Sequence, residues 1–156
     1  MCLYIGEHPK QKTAKENIKC YKVLAAYPTY EKGKIDEKAE TRYFTPYQNT
    51  QYYLGETIRE EGRVKREYED GYCGYAAPMP KISGGCLHTF ANLDQAISFA
   101  KHRYPMYTIH QEWVVVECII PKGTKYYEGM TGPRNPKSSY ASKVLHVTDN
   151  IVHKTY

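Results

Sequence analysis

Apolar and polar positions alternate along the chain in a way that separates a few strand-like runs and one helical stripe from polar connections. Ile18 to Ala26 alternates with period two, placing Ile18, Cys20, Lys22 and Leu24 on one side and Lys19, Tyr21, Val23 and Ala25 on the other, which predicts a strand. Lys22 falls on a largely apolar face: either its stem covers the core edge while the ammonium reaches water, or the ammonium points into a pocket that takes an anion. Cys86 to Phe90 predicts a short strand after two glycines. Asn92 then supplies an N-cap with Gln95 in capping-box register, and Leu93, Ala96, Ile97 and Ala100 form a stripe at i, i+3, i+4 and i+7. Lys101, His102 and Arg103 suit the negative end of the helix dipole and Pro105 stops the run, so a helix is predicted over 92–104. Trp113 to Ile120 is β-branched and almost continuously apolar, the mark of a central strand covered on both faces. Pro121-Lys122-Gly123 turns the chain into a further strand over 124–129, Met130 to Ser139 reads as a loop, and Tyr140 to Val152 predicts a closing strand.

The remaining segments carry weaker patterns. Residues 1–17 predict an ordered apolar tip followed by a polar surface stretch. Lys32-Gly33-Lys34 predicts a turn, and Pro46 pushes Thr45 towards an extended conformation, so 41–48 reads as strand into turn. Residues 56–74 predict two short, charged edge strands with Glu61-Gly62 at the turn between them. The two prolines of Ala76 to Ser83 predict an irregular connector. These elements amount to one α+β domain over 1–156, mainly antiparallel sheet with one helix, and no internal repeat.

Composition changes this picture in three ways. The chain holds 17 Tyr against 3 Phe and 1 Trp, and tyrosine rings with a polar tip suit half-buried surfaces, pockets and interfaces as well as strands. Tyr43, Phe44, Tyr47, Tyr52 and Tyr53 either pack a β-layer or form the wall of a cleft where a base stacks. A formal charge of +5 favours anionic partners without selecting one; with no basic run and no recognition motif, nucleic acid is disfavoured. No stretch has the apolar length of a membrane span or the layout of a signal peptide, which predicts a soluble, cytosolic protein. The five cysteines, Cys2, Cys20, Cys73, Cys86 and Cys118, are odd in number and lack a CxxC pair. That argues against a disulfide framework, and the Cys86/His88 pair lacks zinc spacing, so neither metal nor cofactor is expected.

Three segments, LHTFANLDQAISFA, WVVVECIIPKGTKYYEG and YASKVLHV, resemble in order and pattern the ADP-ribosyltransferase-like scaffold over about the last 70 residues. The same segments are similar to small proteins of phages and their bacterial hosts. The resemblance implies a dinucleotide cleft whose first strand carries Arg or His, where this chain has Tyr21 and Lys22. It implies a hydroxyl before the helix, which Thr89 offers beside His88. It also implies a catalytic glutamate on the late strand, where this chain has Ala141 or Ser142, neither of which supplies the charge that stabilises an oxocarbenium-like ribose.

Three readings of function follow. The first is non-catalytic binding or sequestration of a small anionic nucleotide, ADP-ribose-like or cyclic, as a phage protein that disarms a host signal would do. Lys22, Arg42 or Arg134 would then meet phosphate, Tyr43 or Tyr47 would stack, and His88, Thr89 and Ser142 would hydrogen-bond sugar or base. The second is a divergent transferase recruiting Glu117 or Glu128 with His88. In it Glu117 is a buried carboxylate with a raised pKa; alternatively it is paired with a lysine or faces solvent. The third is an interaction protein whose tyrosines meet another protein, and homo-oligomerisation stays open. The missing glutamate ranks the first reading ahead of the second.

Overall fold

The computed structural model describes residues 3–5, 10–28, 30–31, 34–35, 40–46, 50–69, 79–102, 112–131 and 138–155. Their strands are β1 (Leu3–Tyr4), β2 (Lys12–Thr13), β3 (Ile18–Tyr27), β4 (Tyr30–Glu31), β5 (Lys34–Ile35), β6 (Arg42–Phe44), β7 (Gln51–Tyr52), β8 (Thr57–Arg59), β9 (Lys65–Glu69), β10 (Met79–Gly84) and β11 (Leu87–Phe90). The helix α1 (Leu93–His102) follows, then β12 (Glu112–Ile120), β13 (Lys125–Met130), β14 (Ser138–Ser142) and β15 (Val144–Thr155). All but the β4–β5 pair belong to one antiparallel sheet, so the α+β character predicted from the sequence is observed.

The predicted central strand is β12. It pairs with β3 without interruption from Glu112↔Ala26 to Ile120↔Ile18, and on its other edge with β15. Val114, Val116, Cys118 and Ile120 face a core shared with Cys20, Leu24, Leu145, Val147, Leu87 and Tyr126. Val115 faces the opposite side, where Val23, Phe90, Ala96 and Ala100 seat the helix. Asn92 caps that helix through Oδ1, which accepts from Asp94 N at 2.8 Å and Gln95 N at 3.4 Å. The reciprocal half of the capping box is not made: Gln95 Oε1 is buried without a partner.

The closing strand predicted over 140–152 is broken at Lys143 into β14 and β15. β14 pairs with β11 and β13, whereas β15 pairs with β12 and β8. One bent strand therefore completes a circuit through β11, β3, β12 and back, and the apolar faces of these strands share one interior. Lys143 Nζ donates to the Gly85 carbonyl at 2.6 Å and also to the Gly62 carbonyl. Gly85 has φ +73°, and a Cβ there would lie 2.2 Å from the Arg63 carbonyl oxygen, so a glycine is needed where the two loops cross.

Two expectations change. The edge strands of residues 56–74 exist but do not form a hairpin: β8 joins β15 and β9 joins β10, at opposite ends of the sheet. Of the connector expected to be irregular over 76–83, residues 79–83 belong to β10, and 76–78 lie outside the described residues. Among the described residues β1 pairs with Lys81 and Ile82, and Pro80 is paired with β9 alone, a position that a residue without an N–H can occupy in a strand. The turn after β12 is as predicted, with Thr124 N donating to Pro121 O at 3.1 Å and Gly123 at φ +84°. Within the expected turn at 32–34, within the loop at 130–139 and after residue 102, the positions 32–33, 132–137 and 103–111 lie outside the described residues.

Candidate functional site

Within this circuit β12 and β15 stay paired through two register shifts, at Val115/Val116 and Val116/Cys118, whereas the pairing lapses between β3 and β11. These two meet at a single pair, Phe90↔Tyr21, and then separate, while β11 stays paired with β14 from Leu87↔Ser142 to Phe90↔Ser139. Between them opens a cleft of about 220 Å³, walled by Lys22 and Val23 on one side and Cys86, Leu87 and His88 on the other. Thr45, Pro46 and residues Thr50 to Tyr53 close over it, and Phe90 and Phe99 line its helix side. β7 reaches this position because β6 pairs with β3 at Ala25↔Phe44 and Ala26↔Tyr43, and β7 in turn pairs with β6.

Lys22 lies at the cleft, with its ammonium between the His88 carbonyl and the Tyr52 ring. Its residue is only 8% exposed, and its ammonium points into the cleft. Nζ donates to the His88 carbonyl across the gap at 2.8 Å and stands 4.9 Å from the centre of the Tyr52 ring. An ammonium has three donors and no acceptor, so one fixed bond leaves two N–H groups for a ligand. Among the described residues no carboxylate pairs with Lys22. Glu60 lines the same cleft, but its Oε1 is held by Gly62 N at 2.9 Å.

His88 forms the facing wall. A part of the residue reaches the surface, yet both ring nitrogens are shielded from solvent and have no hydrogen-bond partner. Burial pushes its pKa down to about 3, with the Lys22 charge adding to the effect, so the ring is neutral and offers one donor and one acceptor.

The structure brings only some of the sequence candidates together. Lys22 and His88 share the cleft. Thr89 and Ser142 are fully buried and absent from its lining; Ser142 Oγ donates to the Val144 carbonyl at 3.0 Å, and the Thr89 hydroxyl lies against the buried Cys20 thiol. Arg42 and Tyr43 line a neighbouring depression of about 280 Å³, which shares Gln51, Tyr52 and Tyr53 with the cleft. Tyr47 and Arg134 lie outside the described residues. Of the two carboxylates considered for catalysis, Glu117 pairs with Lys19 at 2.8 Å, which resolves its alternatives in favour of the lysine pair. Glu128, on β13, is bound by Lys12 and receives the Tyr126 hydroxyl at 3.4 Å. Neither lines the cleft.

Phe90 and Phe99 are cleft-lining aromatics that sequence reasoning did not offer for binding, whereas Tyr52 belongs to the tyrosine cluster offered as a cleft wall or a packed β-layer. Its register opposite Tyr43 turns it inward while Tyr53 stays 47% exposed. Cys20 and Cys118, directly opposite each other on β3 and β12, are buried free thiols; burial pushes the Cys20 thiol up to about 11 and Cys118 higher still, which makes them poor nucleophiles. Among the described residues no three His, Cys, Asp or Glu side chains converge as a metal site, and no helix is long and apolar enough to cross a membrane. Compared with known proteins, the chain matches no family model, no curated protein and no solved structure.

Proposed function

We propose that the cleft between β3 and β11 binds a small anionic nucleotide and holds it without chemical change. The observation that carries this reading is the Lys22 ammonium, buried in an aromatic cleft with no carboxylate partner among the described residues. Burying a cation away from water is costly unless a counter-charge joins it. An anionic ligand group supplies that counter-charge, and the Tyr52, Phe90 and Phe99 rings give a base or similar ring an apolar place to lie.

Binding is favoured over turnover because Glu117 and Glu128, the carboxylates a transferase would recruit, are both engaged by lysines away from the cleft. The sequence resemblance to the ADP-ribosyltransferase-like scaffold is the reason for proposing a nucleotide in particular, although Lys22 stands where that scaffold carries Arg or His. Sequestration of a nucleotide signal is the role such a protein would play.

A thermal-shift series tests the reading, using adenosine and guanosine 5′-monophosphates, their 3′,5′-cyclic forms, ADP-ribose and NAD, with each ligand recovered by chromatography afterwards. A ligand present at a hundred times its Kd adds about 2.7 kcal/mol, or a rise of roughly 5–10 °C for a chain of this size. Such a rise with the ligand intact is the expected result. Release of nicotinamide from NAD would establish transferase chemistry instead, and no shift with any of them would exclude a nucleotide.

A further inference from the structure

Resting on that reading, we infer that Glu60 is the base-reading residue of the cleft and that the nucleotide it selects carries guanine. Lys22 and Glu60 line one small cleft yet form no ion pair with each other, so it holds a cation and a carboxylate that stay separate. A ligand that brings only negative charge is drawn by the ammonium and repelled by the carboxylate. One with an anion at one end and hydrogen-bond donors at the other satisfies both groups.

The chain around Glu60 fixes its position. Directly after β8 its N–H donates to the Lys143 carbonyl at 2.8 Å, and its Oε1 accepts from Gly62 N at 2.9 Å. Lys143 Nζ in turn donates to the Gly62 carbonyl and, at 2.6 Å, to that of Gly85, which ties the turn orienting the carboxylate to the loop that leads into β11. The charge is felt on the cleft wall: the Cys86 thiol is pushed up first by burial and then, against the Lys143 charge, by the Glu60 carboxylate. A carboxylate has about four lone-pair sites, and among the described residues Gly62 N is the one hydrogen-bond partner of this one. The remaining sites are left to accept from a ligand.

Guanine is the base that answers such a group. Its N1–H and N2 amino group stand side by side on one edge and meet the two oxygens of a carboxylate, much as a guanidinium does. Hypoxanthine keeps N1–H and lacks the amino group, whereas adenine turns a bare N1 acceptor towards the carboxylate. With the phosphate at Lys22, the expected order of affinity is guanine, then hypoxanthine, then adenine.

Titration calorimetry with guanosine, inosine and adenosine 5′-monophosphates, on the wild-type chain and on Glu60→Gln, separates this from the site itself. The wild-type chain should bind the guanosine nucleotide about tenfold more tightly than the adenosine one, with inosine between them. Glu60→Gln keeps an oxygen for Gly62 N but sets an amino group where guanine needs an acceptor. It should weaken guanosine monophosphate about tenfold and bring it level with adenosine monophosphate. Should the substitution impair folding, the side-chain carboxylate 13C signal of Glu60 in the wild-type protein gives a second readout: it should move on saturation with guanosine monophosphate and stay in place with adenosine monophosphate. Equal affinity of the wild-type chain for the three nucleotides, a preference for adenine, or a guanine preference that survives Glu60→Gln would overturn the role of Glu60 while leaving the Lys22 site intact. Failure of all three to bind would remove the site as well.

Discussion

The two edges of β3 follow opposite rules. Along one edge β3 and β12 pair over the whole of β12, and the residues that face the core there, Leu24, Val114, Val116 and Cys118 among them, are apolar and wholly or almost wholly buried. Along the other edge pairing with β11 lapses after one residue pair, and the gap is bordered by the Lys22 ammonium, the His88 carbonyl that it meets and a row of aromatic rings. A β-ladder satisfies its own backbone groups and leaves side chains free to pack. Where it opens, side chains must do that work, and the polar ones become available to a ligand. Stability should therefore reside in the first edge and binding in the second.

Substitutions can break that division, and the largest effect belongs to the paired edge. Leu24→Ala, in a fully buried position, should cost about 2–5 kcal/mol in urea unfolding. A cost near zero would mean the β3–β12 core is not what holds the fold.

The next effect is a pH dependence. Between pH 6.5, the ordinary value for histidine, and about 3, its value in the fold, the unfolded chain takes a proton that folded His88 refuses. Stability from this group is thus intact above 6.5 and declines as the pH falls, by up to about 1.4 kcal/mol per pH unit. The stability curve of His88→Gln, subtracted from that of the wild type, should show a difference of about 2–3 kcal/mol opening between pH 7 and 4.5. A flat difference curve would place the ring in contact with water.

Gly85→Ala should lose about 1–3 kcal/mol from its left-handed backbone, with a further loss from collision with the Arg63 carbonyl. Denaturant unfolding measures it, and Gly123→Ala, whose added Cβ meets nothing within 4 Å, isolates the backbone share. Lys22→Met should change stability by no more than about 1 kcal/mol, because removing a buried charge offsets the loss of its bond to the His88 carbonyl. The same substitution should abolish nucleotide binding in calorimetry, the clearest separation of the two edges. Smallest of all, Glu117→Gln should leave binding within error, since its carboxylate is occupied with Lys19 outside the cleft.

Much of the paired edge could be read directly from the sequence. Period-two alternation in Ile18 to Ala26, the apolar run Trp113 to Ile120 and the stripe Leu93, Ala96, Ile97, Ala100 each reflect burial against neighbours on known faces, and each became the expected element. The bend at Lys143 was invisible because alternation continues through it: Ala141, Lys143 and Leu145 keep the period while the strand changes partners. The strand at 79–84 was hidden by Pro80, which lies where β9 but not β1 pairs with it among the described residues.

The open edge was legible only in part. A lysine on an apolar face of β3 announced Lys22, but its surroundings were decided by residues 45–46 and 50–53, which line the cleft from elsewhere in the chain. His88 and Thr89 are adjacent and so lie on opposite faces of β11; which of them meets the cleft depends on where β3 and β11 part, a long-range property. The hydroxyls suggested by resemblance, Thr89 and Ser142, are buried away from the cleft. Tyr52, unremarkable beside Tyr53 in sequence, became a wall of the cleft through its pairing with Tyr43.

The most direct test of the central claim follows the Lys22 ammonium itself in protein labelled with 15N at lysine Nζ. Lys22 is the buried lysine among the described residues, so its ammonium protons should exchange slowly enough to be seen. On addition of adenosine or guanosine 5′-monophosphate the account predicts that this signal moves and saturates with the binding curve, and that it is missing in Lys22→Met. Nucleotide binding that leaves the Lys22 signal in place, or a Lys22 signal indifferent to every nucleotide offered, would contradict it.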